Sequence, residues 1–570
     1  MKYSFSSRIH ILTLCILVFA VLMIGRLFWV QIVKQKSYKE DASRQYYTLS
    51  SRVFERGSIF FERKDKELVS AGTQVSGYKL ALNPTLIKDK QKTFDELNKI
   101  IPIDEADFME KAGKADDIYE EIQVNIPLKD GDKINELELP GVSTPSSKWR
   151  FYPGGTMASQ TLGFVGYKGD ELGGRYGLER FYDAELSRDK NSPKINFFAE
   201  VFSNIKKNLF SSGAMAGDII TTIEPTVESV LERELNTIKA KYNADGIGGI
   251  IMNPKTGAIY AISAKPDFDP NNFSKVGNNN LYANPLVERV LEFGSIVKPL
   301  VMAAGIDAGV VNANTSYNDT GSVIVEKKEI FNFDKKGRGP GTTMQTVLND
   351  SLNTGMVLVY QKLGRERMRD YMLSYGIKEK TGIDLPNETS GLVSNLNSPR
   401  DIEYANAAFG QGIALTPVEM IRALASLGNG GVLVTPHLVE KIKYTDGRVK
   451  EMTYPTTPSK ITPESATEIT RMLVTVMDKS LKGGLAKFEH YSVAVKTGTA
   501  QVANTEGGGY YEDRHTHSFF GYFPAYDPEF VILLYAINPK GVLYASQTWA
   551  DPFIALTKFL INYYEVPPDR

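Results

Sequence analysis

Sulfur and imidazole are nearly missing from this sequence. Its 570 residues include one cysteine, Cys15, and five histidines, His10, His437, His490, His515 and His517. A single thiol excludes an intramolecular disulfide framework and any cysteine-rich zinc site. So few imidazoles leave histidine-based catalysis few places to sit. A surplus of charge is also absent: 66 Lys and Arg stand against 67 Asp and Glu, so nothing marks a nucleic-acid binder working by bulk charge. With 42% apolar and 23% charged residues, the chain reads as globular, not as disordered, collagen-like or polytopic in a membrane. Its length sets a prior of about three or four domain-sized units.

One long apolar run is present. Ile9–Gly25 carries no charge, Arg26 interrupts it, and Leu27-Phe28-Trp29-Val30 resumes it. At about 1.5 Å per residue the uncharged run spans roughly 25 Å, and an extension to Val33 completes a crossing. A cleavable signal peptide needs small residues in an A-x-A-like pattern after the run, and Leu22-Met23-Ile24-Gly25-Arg26 offers none. The expectation is an uncleaved single-span anchor over residues 9–33 behind a short cytoplasmic tail of residues 1–8, with Trp29 near the interface and Arg26 snorkelling outward. Lys2 and Arg8 precede the run, whereas Arg26, Lys34, Lys36, Lys39 and Arg44 follow. That count alone places the large domain in the cytoplasm, but long domains translocate largely regardless of charge, so the chemistry has to decide the side.

Residues 34–215 read as a mixed α/β region. Asp89–Asp117 is rich in Lys, Asp and Glu with sparse apolar residues, a pattern of short surface helices. Ser211-Ser212-Gly213-Ala214-Met215-Ala216-Gly217 is the best internal boundary. Beyond it, Val227, Val230, Leu231, Leu235 and Ile238 mark one helix face with Pro225 at its start. Ile247–Met252 and Ala258–Ser263 flank Asn253-Pro254-Lys255-Thr256-Gly257, a hairpin signature. Helical patterns fill the middle, and strand patterns return at Ser492–Val495, Ser518–Tyr522 and Phe530–Ile537. Residues 216–570 are therefore expected to form one α+β domain whose sheet joins distant parts of the chain.

Three short motifs carry chemistry, and each has false copies. A Ser-x-x-Lys tetrad that opens a helix puts an amine one turn from a hydroxyl. It occurs at Ser76/Lys79, Ser187/Lys190, Ser203/Lys206 and Ser295/Lys298. In Gly294-Ser295-Ile296-Val297-Lys298-Pro299, the proline is tolerable only if the helix starts at or near Ser295. Ser295 then lies among free N–H groups at the positive helix end, and Lys298 lies amid apolar neighbours that lower its proton affinity. The bland alternative is a capping serine beside a surface lysine. Lys-Thr-Gly occurs at Lys255, Lys380 and Lys496; only the third follows an apolar strand. There Lys496, Gly498 and Ala500 share one face, and Thr497 and Thr499 the other. Gly498 lets a backbone or substrate approach closely, and two hydroxyls beside an ammonium suit a carboxylate. Ser-x-Asn occurs as Ser316/Asn318 in a loop-like stretch and as Ser351/Asn353 between helical patterns. Taken singly, the last two motifs read as an edge-strand lysine and as ordinary turn residues. In the order Ser295/Lys298, Ser351/Asn353, Lys496-Thr497-Gly498 they form the set shared by penicillin-binding proteins and class A β-lactamases.

At these residues the chain resembles a class B penicillin-binding protein, a membrane-anchored D,D-transpeptidase of bacterial wall synthesis. The likeness extends over nearly the whole chain. Arg56-Gly57-Ser58-Ile59 looks like the family's post-anchor element, and Arg150-Phe151-Tyr152-Pro153, Gly163 and Gly177-Leu178-Glu179 resemble its pedestal motifs. Gly257, Ala261, Pro266, Asp269, Pro270 and Asn271 resemble the opening of its transpeptidase domain, and Ala408-Phe409-Gly410-Gln411-Gly412-Ile413 a late helix pair. Phe293 departs from the usual proline before Gly-Ser, with an expected effect on the mouth of the site.

The resemblance implies a transpeptidase domain of the penicillin-binding/serine β-lactamase-like fold acting on peptidoglycan stem peptides, the side chains of lipid II-derived glycan strands, that end in D-Ala-D-Ala. It makes Ser295 the nucleophile and Lys298 its base, with Ser351 and Lys496 passing the proton to the leaving D-Ala. Backbone N–H groups of Ser295 and Thr499 form the oxyanion hole, worth about 3–4 kcal/mol per donor. Lys496, Thr497 and Thr499 hold the substrate carboxylate across Gly498, and Asn353 holds the peptide amide. No metal or cofactor is implied. β-Lactams would acylate Ser295, and a SEDS-family glycosyltransferase in the same membrane is the implied partner. The catalytic domain would face the extracytoplasmic or periplasmic side of the inner (cytoplasmic) membrane. Asp319-Thr320-Gly321 and Ser351-Leu352-Asn353-Thr354-Gly355 lean toward a division-type role over an elongation-type one. A Ser–Lys engine needs no histidine, and His515 and His517 are expected to be satisfied surface residues. The rivals are a β-lactamase-like hydrolase, against which the anchor and pedestal argue, and an inactive wall-synthesis scaffold, against which the intact motifs argue.

Overall fold

The computed structural model describes residues 13–14, 17–23, 25–26, 56–114, 116–169, 171–187, 216–504 and 507–570. Within the expected anchor, the described residues are helical, with exposed apolar side chains such as Phe19 and Leu22. The rest of residues 9–33, the tail of residues 1–8 and most of the Ser211–Gly217 boundary lie outside the described residues. Among the described residues no helix is long and apolar enough to cross a membrane.

Two compact units emerge, one of residues 75–149 and one of residues 56–74 with 150–570. In the smaller, the chain from Gly77 to Leu82 pairs antiparallel with Glu120–Pro127. Leu80, Leu82 and Ile126 pack with Phe94, Leu97, Phe108 and Ile134 of three short helices, Lys90–Asn98, Glu105–Ala112 and Leu128–Glu136. The first two helices fall in the stretch whose sparse apolar pattern called for surface helices. Each starts at an aspartate whose carboxylate accepts a backbone N–H, Asp89 from Lys92 and Asp104 from Asp107.

The larger unit is built on a five-stranded antiparallel sheet of β1 (Gly246–Met252), β2 (Ile259–Lys265), β3 (Ala494–Ala503), β4 (Tyr510–Phe523) and β5 (Phe530–Ile537). The spatial order is β2-β1-β5-β4-β3. The β1–β2 turn closes because the Asn253 side chain accepts the N–H groups of Lys255 and Thr256. In β5 all eight residues are buried, so its apolar run does not alternate: helices cover both faces. One layer is α1 (Pro225–Tyr242) with the C-terminal α6 (Ala545–Tyr564). The opposite layer holds α2 (Lys298–Asp307), α3 (Asn353–Leu363), α4 (Pro417–Gly428) and α5 (Pro463–Lys479). Helix α1 begins at Pro225 behind Glu224, whose carboxylate accepts the Val227 N–H at 2.7 Å. Helix α4 begins with Pro417 inside a reciprocal Thr416–Glu419 capping box. Strand β3 is an edge, which leaves its outer side open to a ligand.

Residues 56–74 and 150–187, which the sequence assigns to the pedestal, belong to this larger unit and are tied to each other by buried charge. Arg56 donates to Glu179 Oε2 and to Asp183 Oδ1, both at 2.6 Å. Arg150 donates to Glu179 Oε1 at 2.6 Å and to the Gly57 carbonyl at 2.7 Å. Burial alone would raise the Glu179 carboxyl, but the guanidiniums of Arg150 and Arg56 override it and hold it below its usual range. Glu179→Ala leaves the buried Arg150 without its carboxylate and Arg56 with Asp183 alone. The expected cost is about 3–5 kcal/mol, read as a lower thermal denaturation midpoint of the full chain. Because the folded pKa is depressed, this contribution is present at neutral pH and fades as pH falls through the depressed value. The gap between wild type and Glu179→Ala should therefore narrow in acid.

Candidate active site

The turn that carries Ser295 is clamped by backbone from three directions. Gly294–Ile296 is a single 3-10 turn, and the α-helix proper begins at Lys298 with Pro299 in its first turn, where its missing N–H costs nothing. Gly294 has φ +61°, and a Cβ there would lie 2.8 Å from the Thr499 carbonyl oxygen. Its N–H donates to the Gly410 carbonyl at 3.2 Å. A Cβ on Gly410 would meet the Gly294 oxygen at 2.1 Å. The Ser518 hydroxyl on β4 donates to the Phe293 carbonyl at 2.7 Å. A Cβ on Gly498 would strike that same carbonyl at 2.4 Å, so the glycine of Lys-Thr-Gly admits a neighbouring backbone. Phe293 itself is buried: its ring packs in the core and does not line the mouth of the site.

Below this turn lie two buried amines. Lys298, fully buried in the first turn of α2, donates to the Ser351 carbonyl at 2.5 Å and to Asn353 Oδ1 at 2.8 Å, with Ser351 Oγ at 3.3 Å. Lys496, 1% exposed on β3, donates to Ser351 Oγ at 2.9 Å and to the Thr497 carbonyl at 3.0 Å. All of these partners are neutral. Burial pushes Lys298 well below the usual lysine range, and the charge of Lys496 pushes it further. Burial brings Lys496 down to about 7. An uncharged Lys298 amine has two N–H donors and one lone pair. The Ser351 carbonyl and Asn353 Oδ1 take the donors, which leaves the lone pair to accept a proton. Ser351 Oγ, between two amines, is placed to relay that proton.

Ser351 reaches this position by an unusual backbone, φ +56°, a left-handed conformation that a serine adopts at some energetic cost. The twist aims its carbonyl, as well as its hydroxyl, at lysine amines. The motif indicated the hydroxyl; no local signal announces the carbonyl. A second feature missed by the sequence reading pins the nucleophile turn from outside. The Tyr510 hydroxyl contacts the Glu292 carboxylate at 3.0 and 3.1 Å and accepts the Gly412 N–H at 3.2 Å. Glu292 and Tyr510 are 218 residues apart, beyond the reach of any sequence pattern.

A cleft of about 900 Å³ opens over these groups, lined by Ser295, Ser351, Asn353, Lys496, Thr497 and Thr499 among others. Thr497 and Thr499 are half-buried on one face of β3, while Gly498 is buried on the other. Thr499 Oγ1 accepts the Ala545 N–H at the start of α6 at 3.2 Å and keeps its own proton for a ligand. Asn353 Nδ2 donates to the Phe331 carbonyl at 2.8 Å, so only one amide hydrogen is left for a substrate. His515 is half-buried in the cleft wall. His517 overturns the expectation of a surface residue: it is fully buried, its Nδ1 is 2.8 Å from Thr548 Oγ1, and burial brings it to about 4. The strand period turned it inward, under α6.

The false copies lie elsewhere. Ser76 and Lys79 are in the strand Leu68–Leu82, where Lys79 pairs with Glu121 at 2.8 Å. Lys255 sits in the β1–β2 turn and pairs with Asp527. Ser316 is in the short strand Ser316–Asp319. Lys190 and Ser203/Lys206 fall outside the described residues.

Residues 247–556 match the family model of the penicillin binding protein transpeptidase domain, and residues 53–221 that of the penicillin-binding protein dimerisation domain. The chain is 31% identical to stage V sporulation protein D of Bacillus subtilis over 509 residues, covering 88% of this chain and 77% of that protein. It is 25% identical to the peptidoglycan D,D-transpeptidase FtsI of Escherichia coli K12, covering 99% of this chain and 93% of that protein. Among solved structures, penicillin binding protein 3 of Mycobacterium tuberculosis in complex with ampicillin shares the fold, with a TM-score of 0.68 and 21% identity over 91% of this chain and 97% of that one. With its three motifs gathered around one cleft and a dimerisation domain ahead of them, the chain belongs to the class B penicillin-binding proteins.

Proposed function

We propose that this chain is a serine-type peptidoglycan D,D-transpeptidase that cross-links stem peptides through an acyl-enzyme and is acylated by β-lactams. The observation that carries the reading is Ser351 Oγ, set between two buried and unneutralised lysines at the floor of the Ser295 cleft. Ser295 attacks the penultimate D-Ala carbonyl of the donor stem. Lys298, as the free amine, takes the hydroxyl proton. Lys496 and Ser351 return a proton to the departing D-Ala nitrogen, and the amine of a second stem then displaces Ser295 to form the cross-link. Backbone N–H groups of Ser295 and Thr499 stabilise the oxyanion. Thr497 and Thr499, with Lys496, hold the terminal carboxylate, and Asn353 the peptide amide. Gly498 keeps β3 close enough to the nucleophile turn for both to act on one carbonyl.

The same reading assigns residues 9–33 to a single membrane anchor, residues 34–215 to the pedestal and residues 216–570 to the transpeptidase domain on the extracytoplasmic side. The apolar N-terminal run and the dimerisation-domain match over residues 53–221 support it. A relative named FtsI favours septal over elongation-type synthesis, and a SEDS-family glycosyltransferase is the proposed partner in the membrane.

Membranes bearing the protein, incubated with a fluorescent penicillin and resolved on a gel, should show a labelled band near 63.3 kDa. Ser295→Ala abolishes the band, and Lys298→Ala slows its appearance by about 10²–10⁴-fold. Equal labelling of wild type and Ser295→Ala would sink the reading. Rate against pH tests the lysine pair separately. Protonation of Lys298 sets the acid limb, and the charge of Lys496 depresses that protonation. Lys496→Ala should therefore move the acid limb to higher pH as well as lowering the maximum. A fluorescently tagged chain should concentrate at division septa; an even sidewall distribution would favour the elongation-type alternative.

A further inference from the structure

The Ser351–Asn353 turn is held from behind by a buried polar cluster that takes no part in the chemistry derived above. Helix α3 begins at Asn353, yet Leu352 before it has no side chain able to bond the free N–H groups of the first turn. Asn332 supplies the missing acceptor from elsewhere in the chain: its Oδ1 accepts the N–H groups of Asn353 at 3.0 Å and Thr354 at 3.2 Å. The orientation of that amide is set by Asp319, whose two carboxylate oxygens each lie 3.1 Å from Asn332 Nδ2, together with the Lys336 carbonyl, which accepts from the same nitrogen at 3.1 Å. A flipped amide would press its oxygen against a carboxylate and leave the helix uncapped. Asp319 is further satisfied by the Thr354 hydroxyl at 2.8 Å and the N–H groups of Arg338 at 2.9 Å and Gly321 at 3.2 Å. Asp319 and Asn332 are each 1% exposed, so neither can touch a ligand in the cleft.

We infer that Asn332 and Asp319 are positioning residues of the active site: Asn332 caps the helix that presents Asn353 to Lys298, and Asp319 locks the Asn332 amide in its accepting orientation. The cap fixes the backbone of Asn353 while Asn353 Oδ1 accepts from Lys298. Ser351, two residues earlier, is thereby held in its left-handed conformation with both oxygens toward the amines. Leu352 is itself fully buried in the core, and the cap comes from elsewhere in the chain. The inference rests on the transpeptidase reading above.

The test is stopped-flow acylation of the detergent-solubilised full chain by a fluorescent penicillin, which separates the non-covalent binding constant from the first-order acylation rate constant. Misfolded molecules lower the amplitude and leave that rate constant unaffected. Asp319→Asn and Asn332→Asp are each expected to lower the rate constant by about 10- to 100-fold, the effect of a sub-ångström to ångström misplacement, with binding changed less than about threefold. Should a single variant fail to accumulate, the isosteric Thr354→Val, which removes one donor from Asp319, should still slow acylation by about threefold. A labelled wild type with single variants at its rate overturns the inference alone. An unlabelled wild type overturns the transpeptidase reading and this inference with it.

Discussion

Two lysine amines with no carboxylate to neutralise a charge on either meet at one hydroxyl, and the larger unit is arranged around that conflict. Removing a lysine charge from water costs several kcal/mol when no anion compensates. Two such charges close together also repel. The protein does not relieve this by supplying an acid. Lys298 and Lys496 find only carbonyl, amide and hydroxyl oxygens, and the nearby carboxylates are engaged elsewhere. Asp350, next to Ser351, accepts from Arg338 at 3.0 Å, and Asp319 is saturated by the α3 cap. An acid turned toward either amine would restore its proton affinity and remove the base. The basicity of the site is thus set as much by where the carboxylates are kept as by where the lysines are buried.

Holding that arrangement is a problem of chain topology, because its parts come from three distant stretches. The nucleophile turn and the β3 edge meet only because glycines remove the side chains that would hold them apart. Gly294, Gly410 and Gly498 each lie where a Cβ would overlap another backbone. Their backbones, with Ser518, tie the nucleophile turn to β3 and β4 by direct contact. The Ser351 turn has no such glycine and bears its positive φ on a serine; its support comes from side chains behind it.

Local chemistry was legible where a single residue type has one physical use. Pro299 located the helix start, the alternation Lys496-Thr497-Gly498-Thr499 separated the strand faces, and Asn253 through Gly257 announced a hairpin. The apolar run Phe530–Ile537 read as a strand, and its burial on both faces explains why it does not alternate. What escaped depends on partners far away in sequence. The Arg56–Glu179–Arg150 cluster ties residues 56–74 to residues 150–187, and nothing in either stretch names its partner. The left-handed Ser351, the Glu292–Tyr510 clasp and the burial of His517 under α6 are likewise set by contacts that no window of residues contains.

The strand order β2-β1-β5-β4-β3 carries a consequence for how the protein comes into being. The nucleophile follows soon after β1 and β2 in the chain, but Lys496 arrives on β3, and β3–β4 reaches β1–β2 only through β5, which is inserted between them. A chain emerging from the ribosome therefore holds every catalytic side chain before it holds the strand that joins the two halves of the sheet. Residues 530–537 close the gap, and α6 then seals one face. The sheet that joins the nucleophile's half to the Lys496 strand is thus complete only once residues 530–537 are in place.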